Sequence, residues 1–250
     1  MRTFNFNGID SGQYLIVNKV KQSLLPNIKR NYINIPGKAG AYLGNTNLGV
    51  KVFEINITLI SNGVNNYEEL KDNIKKWLFT ERECELSFSN RRDVTYFAVL
   101  DNSVDLDELF VFGEGTIVFV CPDPFGYGIE NSYKFQHDPD YPGDPIALDI
   151  KGTYKTQPRF RVFFLNPSDE LKIIHENTGK YVRLIRNFSA GDVLEFDFSN
   201  GKILLNGKIT MQIYDWFNSN QFSFDIGNQL IRVEPAEAVE TIVFWRPRYI

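Results

Sequence analysis

The chain has 250 residues, a net charge of −4, 43% hydrophobic and 14% aromatic residues, with 21 Phe and 12 Tyr. That apolar content offsets the entropy of folding and excludes a disordered chain, while the length suits one large β domain or two smaller ones. A general nucleic-acid binder carries a basic excess on its binding domain, and this balance shows none.

The opening Met1–Asn7 has no apolar run, and no stretch is long and apolar enough to span a bilayer. The expectation is a chain made in a cytoplasm that stays soluble and inserts in no membrane. Cys84 and Cys121 are too few and too far apart for a disulfide framework, so both read as core-packing thiols in a reducing compartment.

In chain order, the first landmark is the glycine-rich run Pro36-Gly37-Lys38-Ala39-Gly40. It lacks the upstream glycine and the Ser/Thr of a phosphate-binding loop. Its place before a long strand makes Pro36, Gly37, Lys38 and Gly40 a candidate contact with a neighbouring subunit or partner. Glu54–Leu59 then alternates, with Ile55, Ile57 and Leu59 on one face, the mark of a half-buried strand. A helix is predicted over 67–79. Asn66 and Glu69 have the spacing of a capping box, and Leu70, Ile74, Trp77 and Leu78 make one apolar stripe against the first sheet. Gly113-Glu114-Gly115 reads as a turn or bulge before the deeper strand Thr116–Val120.

Three prolines, Pro139, Pro142 and Pro145, and the polar run between them mark the domain boundary. The predicted division is a first domain over 1–135, a linker over 136–145 and a purely β domain over 146–250. In the second domain Leu194–Phe198 alternates, and Asn200-Gly201 and Asn206-Gly207 flank Ile203–Leu205. Asn-Gly accepts the positive φ of tight turns, so three consecutive antiparallel strands follow. Gly227-Asn228 is expected to turn Phe222–Phe224 back onto Leu230–Val233. The last strand, Thr241–Trp245, fits either domain.

Catalytic devices are not legible. His137 and His175 lie in different regions and pair with no nucleophile in sequence, so ordinary loop or surface roles are expected. The acidic runs Asp101–Glu108 and Asp138–Asp144 lack the calcium-loop pattern and read as solvated loops, and no Cys or His spacing fits zinc. Glu195 and Asp197 share a strand face and imitate a glycosidase pair, but outward polar positions on an amphipathic strand explain them. No catalytic residue, cofactor or metal is assigned.

Several stretches, in order, resemble the distal tail proteins of siphophages. They are Ile35–Leu43 with its Pro-Gly-x-x-Gly loop, the strand and helix that follow, and Cys121-Pro122-Asp123-Pro124-Phe125-Gly126-Tyr127. Gly191–Asp197, the two Asn-Gly turns and Gly227–Ile231 resemble the galectin-like sandwich of the same family. The resemblance implies a mainly β protein, with a β-sandwich-like N-terminal domain bearing one helix and a C-terminal galectin-like β-sandwich. It implies a structural baseplate-hub protein at the virion tail tip that forms a ring, usually a hexamer. The tail tube protein stacks on one side and the tail-associated tip protein on the other. Adaptor or receptor-binding proteins sit on the outer sandwiches. DNA passes through the lumen without specific binding. The chain leaves no room for the extra carbohydrate module that some members insert.

Two other readings compete. A carbohydrate-binding module would use Trp216 with Asp215 as a sugar-stacking site, although core packing of Trp216, and of Trp245, is the first expectation for these side chains. A glycoside hydrolase is the third reading.

Overall fold

The computed structural model describes residues 3–60, 67–101, 114–137, 141 and 143–250. Two units divide the chain, Met1–Tyr127 (with Ile250) and Gly128–Tyr249.

The first unit holds β1 (Phe4–Phe6), β2 (Ile9–Asp10), β3 (Leu15–Gln22), β4 (Ile28–Asn34), β5 (Ala41–Leu48), β6 (Lys51–Leu59), α1 (Tyr67–Leu78), β7 (Cys84–Phe88), β8 (Arg91–Leu100), β9 (Glu114–Cys121) and β10 (Gly126–Tyr127). Its main sheet runs β2-β1-β7-β8-β9-β6-β3. Alternation places Phe53, Ile55, Ile57 and Leu59 of β6 in the core, as expected, and an unbroken ladder from Lys51↔Cys121 to Thr58↔Glu114 joins β6 to β9. On a flat sheet, β1 and β9 would lie about 14 Å apart, three strand spacings. Instead Phe6 and Phe119 meet with ring centroids at 4.6 Å, and Phe53 of β6 reaches Phe88 of β7 at 5.1 Å. The sheet therefore curls over its own aromatic core and becomes sandwich-like.

The helix closes that core. Leu70, Ile74, Trp77 and Leu78 are buried. Trp77 stacks on Phe4 at 5.8 Å, and its indole N–H donates to the Phe6 carbonyl at 2.8 Å. Burying an indole needs such a partner, and this one ties α1 to β1. The helix ends at Leu78, leaving Phe79 73% exposed. The expected cap at Asn66 lies outside the described residues, as does Gly113, while Glu114 and Gly115, expected in a turn or bulge, instead open β9 and pair with Thr58 and Ile57.

The second unit holds β11 (Asn131–Phe135), β12 (Ile146–Ile150), β13 (Arg159–Phe164), β14 (Ser168–His175), β15 (Lys180–Phe188), β16 (Val193–Asp197), β17 (Lys202–Leu205), β18 (Lys208–Ile209), β19 (Gly227–Glu234) and β20 (Val239–Trp245). One sheet is β11-β20-β13-β16-β17-β18, the other β12-β19-β14-β15. One core collects inward residues of both, and Phe164 of β13 stacks on Phe188 of β15 at 4.2 Å. The unit is a β-sandwich.

Three features differ from the sequence reading. The division between units falls before β11, because Asn131–Phe135 pairs with Thr241–Trp245 over five residues. The proline-rich stretch marks a connection inside the second unit, and strand pairing across a hundred residues leaves no local signal. The same ladder places Thr241–Trp245 in the second unit, between β11 and β13. Third, Gly227-Asn228 is no hairpin turn. Both open β19 and pair with Ile150 and Asp149 of β12, while Phe224 bridges Thr156. Gly227 does take a positive φ of 94°, so the residue type registers a local conformation, but the strands it joins are not the neighbouring ones.

The two Asn-Gly turns hold. Leu205 pairs with Lys208, and the intervening Asn206 and Gly207 have φ of 49° and 77°, as a two-residue hairpin requires. Asn200 caps its turn by accepting from the Lys202 N–H at 2.8 Å.

Candidate assembly surfaces

Strands β4 and β5 pair only with each other, outside the main sheet. They form an arm, each strand about 25 Å long at the usual rise per residue. Its base is closed by a hydrogen bond from Gly49 N–H to the Asn27 carbonyl at 2.6 Å, and a bulge interrupts the ladder between Arg30 and Tyr32. Pro36, Gly37, Lys38 and Gly40 all lie exposed at its tip. Gly37 and Gly40 both have φ of 81°, a conformation in which a side chain would be strained. Lys38 donates its N–H to the Ile35 carbonyl at 3.1 Å and holds Nζ 3.4 Å above the Tyr42 ring. The four residues expected to reach a partner are thus brought together. Sequence reasoning missed the arm's flanks: Tyr32, Ile33, Tyr42 and Leu43 are 49–63% exposed. The available signal was an adjacent apolar pair on each side of one glycine-rich turn.

The Asp-Pro-Phe-x-Tyr segment is structural. Asp123 accepts from the Phe125 N–H at 3.3 Å and from the Tyr127 hydroxyl. A Cβ on Gly126 would come within 2.5 Å of Val94 Cγ1 and 2.9 Å of the Tyr96 ring. The glycine lets β10 lie against β8.

In the second unit, residues 214–220 cover part of the edge of β15. Leu184 bridges Tyr214, Asp215 N–H donates to the Arg183 carbonyl, and Asn220 N–H donates to the Tyr181 carbonyl. Asp215 builds the turn: its carboxylate accepts from the Phe217 and Asn218 amides and from Asn218 Nδ2 at 2.9 Å. The Asn218 side chain above all, then the two backbone amides and nearby Arg183, holds its carboxyl below the ordinary range. Trp216 is 68% exposed, set edge-on to Tyr214 at 4.7 Å, and Phe217 is 99% exposed. The expectation that Trp216 packs in the core is therefore wrong, because the Asp215 turn points its ring outward. Trp245 is partly buried against the core. Asp215 stands beside Trp216 as expected, but its oxygens are engaged in the turn.

Residues 9–121 match the family described as phage tail protein RIFT-related domain. Residues 151–249 match the siphovirus-type tail component, C-terminal domain. Each match lies inside one structural unit. The distal tail protein of Bacillus phage SPP1 is 23% identical over 97% of this chain and 95% of its own length. This chain belongs to the siphophage distal tail proteins. Its fold agrees with the crystal structure of the SPP1 distal tail protein, a hub of the adsorption apparatus in phages infecting Gram-positive hosts. The TM-score is 0.80, with all of both chains covered and 16% identity. A chain of the phage p2 baseplate aligns at TM-score 0.50 and 10% identity over 98% of each chain.

In this tail protein the residues that imitate chemistry have packing roles. Both histidines are buried, contrary to the expected loop or surface roles. His175 bonds Thr178 Oγ1 at 2.9 Å and Gln229 Oε1 at 2.8 Å and stacks on Phe222. His137 Nε2 accepts from the Val233 N–H at 2.9 Å, and burial lowers its pKa. Glu195 pairs with Arg161 at 3.0 Å, and Asp197 caps the next turn through Ser199 and Asn200. Cys121 is buried and Cys84 partly so, both as free thiols, and burial pushes Cys121 up to about 12. The run 102–108, with Asp138 and Asp140, lies outside the described residues. Among the described residues no three metal-ligating side chains converge, and no helix is long and apolar enough to cross a membrane.

Proposed function

We propose that this chain is a non-enzymatic hub at the distal end of a siphophage tail, assembled in the bacterial host's cytoplasm and carried in the virion tail tip. Six copies close into a ring through their N-terminal units. The tail tube protein stacks on one face and the tail-associated tip protein docks on the other. The C-terminal units, galectin-like sandwiches, project outward to hold adaptor or receptor-binding proteins, and DNA passes through the lumen without specific binding. The supporting observation is the unit-by-unit family match over most of the chain. A closed ring needs two different complementary patches per copy, and the unpaired arm at Ile28–Leu48 supplies one. Native mass against concentration tests the ring: a discrete species near six times 28.9 kDa supports it, and a monomer at every concentration contradicts it.

Exposure of Trp216 favours one second reading, a sandwich that stacks host cell-wall sugars on that ring. A glycan array with the wild type and Trp216→Ala separates the two. Binding lost in the variant supports the sugar site, and no binding by the wild type removes it.

A further inference from the structure

The arm carries a charge and an apolar pattern that together describe its partner. Between Ser11 and Phe53 there are six Lys or Arg residues and no Asp or Glu, whereas residues 54–127 carry fourteen carboxylates against six cations. The two halves of one unit thus have opposite signs. On the arm itself Lys29, Arg30 and Lys38 are exposed. Opposed residues of a hairpin share a face and successive residues alternate. Tyr32 opposes Leu43 on one face, and Ile33 opposes Tyr42 on the other. An isolated two-stranded hairpin is marginal in water, and one with apolar pairs on both faces is completed only when both are covered.

We infer that the arm of one copy seats against the acidic surface of the next copy, so that charge complementarity sets the direction of ring closure. This rests on the ring reading above. The occupant is a second copy because the required counter-charge is on this same unit, as a heterologous closed interface demands. One acidic run among the described residues leads into β7, around the single cation Arg82. There Glu81, Glu83 and Glu85 are exposed, with no ion pair to a described residue. Acidic carboxylates flank the basic rim of the arm, and the apolar pairs supply the contact area.

The test begins with the wild-type chain as a mixture of ordinary and isotope-labelled copies, treated with a zero-length carbodiimide cross-linker. Mixed-isotope links from Lys29 or Lys38 to Glu81, Glu83 or Glu85 are expected. The reversals K29E/R30E/K38E and E81K/E83K/E85K should each weaken self-association on the order of a hundredfold. An equimolar mixture of the two should recover the wild-type mass, because each reversed patch then meets its complement. Circular dichroism and melting temperature show whether each variant folds, and where one does not, the wild-type cross-links decide alone. Arm variants that assemble like wild type, a mixture that does not recover, or cross-links that avoid the arm would each overturn the inference and leave the ring standing. A wild type that never associates overturns the ring reading with it.

Discussion

Two hairpins of this protein share their turn chemistry and differ in everything else. The β16–β17–β18 meander buries Leu194, Phe196, Ile203 and Leu205 in the second unit's core, and its glycine turns only connect strands that the core already holds. The β4–β5 arm has glycines at its tip and a ladder broken by one bulge, and none of its residues is fully buried. The meander is explained by this chain alone. The arm has the composition of an interface core and the surroundings of a loop. This contrast supports the inference that another copy completes it.

The largest effects should come where packing is complete. Phe196→Ala and Trp77→Ala should each cost about 3–5 kcal/mol in chemical unfolding, since both side chains are buried. The double change Tyr32→Ala with Leu43→Ala should shift the melting of dilute monomer by no more than about 0.5 kcal/mol, while weakening assembly. A large monomer effect would erase the contrast. Next comes Gly126→Ala, where the new Cβ strikes Val94 and Tyr96. A cost of about 1–3 kcal/mol is expected for overpacking, read by thermal melting.

His137 supplies a pH test confined to the second unit. Burial lowers its pKa below the ordinary 6.5, so the folded state prefers the neutral ring that accepts from Val233. The unfolded chain then binds the proton more readily. This contribution is complete above pH 6.5 and is lost as pH falls toward the lowered folded value. Unfolding midpoints of wild type and His137→Gln, followed from neutral pH downward, should converge. Another mild change is Lys38→Glu, which removes an exposed cation from the Tyr42 ring. Monomer stability should change by under about 1 kcal/mol, and the visible change should be in assembly.

Elements governed by near neighbours were readable in the sequence. The period-2 pattern of β6, the stripe on α1 and the Asn206-Gly207 turn each depend on residues a few positions apart. Pairings across long separations were not: β11 with β20, and β19 with β12, are set by the two sheets jointly. The buried histidines were misread for the same reason, since Gln229 and Val233 reach them from β19, far along the chain. At the arm, the tip glycines signalled a loop, but exposure of both flanking faces is a three-dimensional property. Trp216 was misplaced because apolar character predicts burial and the Asp215 turn overrides it.

Amide hydrogen exchange, measured below and above the concentration at which the chain associates, tests most directly whether the arm is completed by another copy. An arm completed by another copy exchanges fast along Ile28–Leu48 in dilute chain and is strongly protected on association, with β16–β18 protected equally in both. Arm amides that exchange at the same rate in the associated state would contradict it.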